Sequence, residues 1–204
     1  MSTLCRTLRD ADGAEALAAA CRLAYRRRLV AALAGNASCR NGSGFLCTPT
    51  GCCLGEVVAD DMVPLDEDFR PQGAGRPSSE WRLHAHIYRA DPTVGAVLHT
   101  HSPHATARAM LGWDLPAQTP ETAHFLGRVP CLPPAVPGTD AVGEGVAGAM
   151  RAGAMAALLG RHGAVAWGRN IREAFYQAEL LETACVLAAS VQALDPTAGE
   201  REGW

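Results

Sequence analysis

AVLHTHSPHATA, residues 96–107, starts as a strand and finishes as a helix. Ala96, Val97 and Leu98 open an apolar run, Ser102-Pro103 breaks it, and HATARAML (104–111) resumes with helical character. Side chains alternate faces along a strand, so His99 and His101 point the same way and Thr100 points opposite. Two imidazoles two residues apart at a strand end can clamp one metal ion. Two polar histidines on a half-exposed strand would share that spacing, so the pair needs support from elsewhere. His104 follows the turn, which leaves its direction open.

Upstream, DGAEALAAACRLAYRRRLVAAL (12–33) predicts a helix with Leu17, Cys21, Ala24 and Leu29 on one broad apolar face, ended by Gly35. GNASCRNGSGFLCTPTG (35–51) predicts two short strands around Asn41-Gly42. Residues 56–68 read as short edge elements and 70–80 as a loop, with Ser78 or Ser79 as the N-cap of a helix over 79–90. Downstream, six prolines make 112–140 loop-rich, and 142–153 reads as a helix. MAALLGRHGAVAWG (155–168) is a strand–turn–strand unit centred on His162-Gly163, and 171–194 is the clearest helix. No internal repeat or boundary interrupts this order, so residues 1–204 are expected to form one α/β domain with a largely antiparallel or mixed sheet.

Composition excludes several classes of function. Net charge is −3 with 19% charged residues, and YRRR (25–28) is the only basic cluster, which argues against nucleic acid. Charges at Arg6, Arg9, Asp10 and Asp12 interrupt any secretory signal, and no apolar run is long enough to span a membrane. The eight cysteines are sparse for a disulfide scaffold, and Cys52-Cys53 lacks zinc-site spacing. Reduced thiols in a cytoplasmic protein are expected.

His162 lies at another strand junction, beside a glycine that permits close backbone approach. Three imidazoles leave open positions on a divalent ion, which is the catalytic arrangement. Glu80 follows two serines at a helix start, where a carboxylate is favoured either as a capping acid or as a proton carrier. PSSE (77–80), GNAS (35–38) and TPTG (48–51) offer hydroxyls and free N–H groups of the kind that hold an anion such as phosphate.

Together, GNAS-x-R (35–40), CTPTG (47–51), PSSEWRLHAHIY (77–88), AVLHTHSPHATA (96–107), PGT (137–139) and RHGAVAWGRN (161–170) resemble the class II aldolase/adducin family across nearly the whole chain. The branch they look most like is that of the L-fuculose-1-phosphate aldolases. The resemblance implies a three-layer α/β/α fold around a central, mainly antiparallel sheet, and a homotetramer with sites near subunit interfaces. It implies zinc, or another divalent metal such as Mn2+, Co2+ or Fe2+, on His99, His101 and His162, with Glu80 as acid/base. Asn36, Thr50, Gly51, Ser78 and Ser79 correspond to its phosphate-binding positions. The implied reaction cleaves a ketose 1-phosphate to dihydroxyacetone phosphate and an aldehyde. A dehydratase, epimerase or decarboxylase on this scaffold is the alternative, and a non-catalytic adducin-like assembly protein a remoter one. Glutamate at 80 favours cleavage over epimerisation, since the epimerase branch usually carries aspartate there.

Three positions depart from the family pattern. Leu33 stands where a threonine hydroxyl is usual. No tyrosine lies between residues 102 and 161, where the aldolases carry one, and His124 is the candidate substitute. The chain ends at Trp204, a candidate lid residue in place of a longer tail.

Overall fold

The computed structural model describes residues 13–195 and 197. Cys5, the N-terminal charges and Trp204 lie outside the described residues.

Helix α1 spans Gly13–Arg26 and buries Leu17, Cys21 and Ala24, as its apolar face requires. It stops well before Gly35. Arg28 takes a left-handed conformation (φ 60°), its N–H donates to the Tyr25 carbonyl, and the Leu29 N–H donates back to the Ala24 carbonyl. That pairing is a Schellman stop built on a non-glycine residue, so no glycine advertises it.

Strands β1 (Asn36–Asn41) and β2 (Gly44–Cys47) form a hairpin whose two-residue loop holds Gly42 at φ 59°. After a 3-10 turn at Ala59–Asp61, β3 (Val63–Leu65) pairs with β2 as an edge strand. Helix α2 covers Trp81–Ala90. Its N-cap is Glu80 and not a serine; the Glu80 N–H donates to Ser78 Oγ at 3.3 Å. The chain continues with β4 (Ala96–Thr100), α3 (Pro103–Leu111), the short α4 (Pro120–Phe125), β5 (Cys131–Leu132) and α5 (Asp140–Arg151). β6 (Ala156–Leu159), β7 (Gly163–Gly168) and α6 (Ile171–Leu194) follow.

Among the described residues, seven strands make one sheet in the order β3-β2-β1-β4-β7-β6-β5. Every pairing is antiparallel except β5 with β6. β4 sits at the centre and is buried throughout. Alternation along it feeds two cores. Ala96 and Leu98 join the core under α1, α3 and α6, while Val97 joins the core under α2 and α5. The result is the expected three-layer α/β/α arrangement. His99 shares the α2–α5 face with Val97, so the sheet lays it under α2. No helix among the described residues is long and apolar enough to cross a membrane, and the seven described cysteines are free.

Candidate metal centre and substrate cavity

Strand geometry brings the first two histidines together. His99 is at the end of β4 and His101 just beyond it, with ring centroids 4.8 Å apart. His162 enters from the β6–β7 turn, 4.7 Å from the His99 ring and 4.9 Å from that of His101. Two local features allow this entry. Arg161 adopts φ 57°, which swings the next residue round. Gly163 passes so close to β4 that a Cβ there would lie 2.4 Å from the Thr100 carbonyl and 3.1 Å from the His101 ring.

Glu80 completes the cluster from the start of α2. One ligand-capable atom from each of Glu80, His99, His101 and His162 lies within 4.8 Å of the others. Glu80 Oε2 is 3.2 Å from His99 Nε2, Glu80 Oε1 is 3.3 Å from His162 Nε2, and the His99 and His101 Nε2 atoms are 2.9 Å apart. Donors at about 2.1 Å from a tetrahedral divalent ion stand about 3.4 Å from one another, so the spacing fits one. The chemistry fits as well. His99 Nδ1–H donates to the buried Ala164 carbonyl at 2.9 Å, so the neutral form of the ring turns its Nε2 lone pair to the cluster. Glu80 Oε1 and His162 Nδ1 are buried without a hydrogen-bond partner among the described residues.

Electrostatics keep these groups in ligating forms. Burial, reinforced by positive charge on His99 and His162, pushes His101 down to about 4. Burial, then His99, lowers His162 as well. Burial pushes the Glu80 carboxyl up, but the His99 hydrogen bond and charge, the His162 charge and the Asn36 amide outweigh it and hold Glu80 down at about 2. At neutral pH His101 and His162 therefore offer neutral imidazoles and Glu80 a carboxylate.

A cavity of about 240 Å3 opens beside the cluster. Asn36, Thr50, Gly51, Ser78 and Ser79 all line it, next to Glu80, His101 and His162. Ser79 and Thr50 are exposed, whereas Ser78 is buried and accepts the Glu80 N–H. Leu33 lies on the rim with 63% of its surface exposed. Asn36 is buried, and its amide N–H donates to Glu80 Oε2 at 2.9 Å.

Other predicted positions fall elsewhere. His104 starts α3 and pairs with Glu182 at 2.9 Å, away from the cluster. His124 lies on α4 along a larger, separate groove, so a single chain does not bring it to the cavity. Among the described residues no tyrosine lines the cavity; Tyr88 is buried, and Tyr25 and Tyr176 are exposed elsewhere. The sequence reading missed His84, Ser38 and Tyr88, which connect to Glu80 through Asn36. The signal available was the four-residue spacing of Glu80, His84 and Tyr88 on one helix face.

Residues 15–189 match the family described as the Class II Aldolase and Adducin N-terminal domain. The chain belongs to this family. As a class II aldolase family member it is 39% identical over 144 residues to the 5-methylthioribulose-1-phosphate/5-deoxyribulose-1-phosphate aldolase of Rhodospirillum rubrum, an alignment covering 69% of this chain and 64% of that protein. With the L-fuculose phosphate aldolase of Escherichia coli K12 it shares 35% identity over 165 residues, covering 80% of this chain and 76% of the relative. Its fold superposes on an L-fuculose 1-phosphate aldolase with a TM-score of 0.83 at 27% identity, covering 89% of this chain and 87% of the other. The L-fuculose-1-phosphate aldolase of Thermus thermophilus gives 0.80 at 27% identity, with 88% and 94% covered. Class II aldolases use a divalent metal, and Glu80 with the three histidines is the group of described residues that could hold one.

Proposed function

We propose that this chain is a metal-dependent aldolase that cleaves a ketose 1-phosphate into dihydroxyacetone phosphate and an aldehyde. The observation that carries the reading is the convergence of a three-histidine, one-carboxylate cluster with hydroxyl-rich loops on one small cavity. The Nε2 atoms of His99, His101 and His162 would hold the metal. A divalent cation, zinc in this reading, would supply positive charge beside the substrate oxygens on which negative charge grows as the carbon–carbon bond breaks.

The chain's own groups divide the remaining work. The exposed Ser79 and Thr50 hydroxyls and the turn at Gly51 would anchor the phosphate, with Asn36 and Ser78 beneath them. Glu80 has two unlike oxygens. Oε2 faces His99 and accepts from Asn36, while Oε1, 3.3 Å from His162 Nε2, has no hydrogen-bond partner among the described residues. Oε1 is therefore the oxygen free to carry a proton to or from the carbanion-like carbon at the cleaved bond. A cytoplasmic homotetramer and one domain over residues 1–204 belong to the same proposal, of which the family match spans residues 15–189.

The test is release of dihydroxyacetone phosphate from L-fuculose 1-phosphate, 5-methylthioribulose 1-phosphate, 5-deoxyribulose 1-phosphate and ribulose 1-phosphate. Glu80→Gln should lower turnover by about 10²- to 10⁴-fold. A dehydrated, epimerised or decarboxylated product without dihydroxyacetone phosphate would replace this reading with the alternative on the same scaffold.

A further inference from the structure

Behind Glu80 runs a buried line of polar side chains of which metal ligation and phosphate anchoring use only Asn36. Helix α2 contributes Glu80, His84 and Tyr88 at four-residue spacing, and β1 contributes Asn36 and Ser38 at two-residue spacing. The two periodicities interlock. Tyr88 Oη lies 2.8 Å from Ser38 Oγ, and Ser38 Oγ lies 2.7 Å from His84 Nδ1. His84 Nε2 lies 2.6 Å from Asn36 Oδ1, and Asn36 Nδ2 donates to Glu80 Oε2 at 2.9 Å. His84 is 1% exposed and Ser38 2%.

With His84 neutral, one assignment of protons satisfies every link. The Glu80 carboxylate accepts, so Asn36 must turn its N–H toward it and its carbonyl toward His84. That carbonyl also only accepts, so His84 must carry its proton on Nε2. Nδ1 is then a lone pair, Ser38 O–H donates into it, and Tyr88 O–H donates to Ser38. Burial, with the positive charge of His99, pushes His84 down to about 3, so the neutral ring this assignment requires is the resting form. All the donors point toward Glu80, and links aligned in this way polarise one another. With the Asn36 amide reversed, its carbonyl oxygen would face the carboxylate at hydrogen-bond distance and favour protonation of Glu80.

We propose that His84 is a positioning residue for Glu80: its Nε2–H tautomer, set by Ser38 and Tyr88, fixes the Asn36 amide with its N–H toward the carboxylate. The inference rests on Glu80 as the proton carrier of the aldolase reading. It gives the glutamate one clamped oxygen and one working oxygen.

The experiment compares full-length wild type with His84→Gln and His84→Asn. A glutamine amide reaches the place of Nε2 and can donate to Asn36; an asparagine amide reaches only the place of Nδ1. Nitrogen-15 NMR of histidine-labelled protein reads the His84 tautomer without reference to catalysis, with His84→Gln identifying the resonance. The expected results are a neutral Nε2–H ring at pH 7 and near-wild-type kcat for His84→Gln. For His84→Asn, kcat should fall about 10- to 100-fold with KM and bound metal little changed. An Nδ1–H or doubly protonated ring would overturn the proposal. Equal losses of kcat in the two variants, or no loss in His84→Asn, would also overturn it. A wild type that releases no dihydroxyacetone phosphate would overturn the aldolase reading instead, and the tautomer would still decide how Asn36 is held.

Discussion

Lowering the pH from 7 to 5 should destabilise the chelator-treated protein steeply, because a histidine is buried in its neutral form. His84 is held at about 3, against an ordinary value of 6.5. Above pH 6.5 neither the folded nor the unfolded chain protonates it, and its contribution to stability is fully present. Below 6.5 the unfolded chain takes up the proton while the folded chain does not. Stability is then lost as pH falls toward about 3, at about 1.4 kcal/mol per pH unit for one proton. At pH 5 the loss from His84 is about 2 kcal/mol. His101, held at about 4, adds to it in the same direction, discounted because water reaches it in the cavity. Glu80 works in a lower window. Its carboxyl is held at about 2, so its contribution is lost only as pH falls from the ordinary 4.5 toward 2. Urea denaturation at pH 7, 6 and 5 is the assay. With a slope of about 2 kcal/mol per molar, the His84 loss alone lowers the midpoint by about 1 M between pH 6.5 and pH 5. His84→Gln removes one titrating group and should flatten the dependence by about one proton. An unchanged midpoint from pH 7 to 5, or an equally steep dependence in His84→Gln, would refute the burial of neutral His84.

Two further perturbations probe how the fold builds the site. Gly163→Ala puts a Cβ 2.4 Å from the Thr100 carbonyl, so β7 must move away from β4 at the histidines. Metal content measured after purification should drop, and stability should fall by about 2 kcal/mol or more. Glu182 reaches from α6 to accept the His104 and Ala105 N–H groups at 3.0 and 2.9 Å and the His104 ring at 2.9 Å, which caps the start of α3. Glu182→Ala should cost about 2 kcal/mol in urea denaturation, with turnover affected less than in Glu80→Gln.

The sequence was most legible where one element carries its own signal. The helix over 171–194 and the unit around His162-Gly163 stand where periodicity and turn chemistry place them. The first helix ended early because its stop is Arg28 in a left-handed conformation, a backbone state that residue type does not announce. Glu80 shifted from the first helical turn to the N-cap because the Ser78 hydroxyl accepts the Glu80 N–H without capping the helix itself.

Alternation alone paired His99 with His101 and set His104 aside, because the direction of a strand side chain is a local property. The recurrence of hydroxyl-rich loops likewise marked Thr50, Gly51, Ser78 and Ser79 before any contact was visible. What the sequence could not fix is distance across the chain. His162 meets His99 only because β7 lies beside β4 in the sheet, with Val165 opposite His99. Asn36 meets Glu80 because β1, also beside β4, sets Asn36 opposite His99 and under α2. The chemical types of the site are written into short stretches of chain. Their separations, burial and proton positions arise from packing α2 on the β1–β4–β7 surface, which no single stretch specifies.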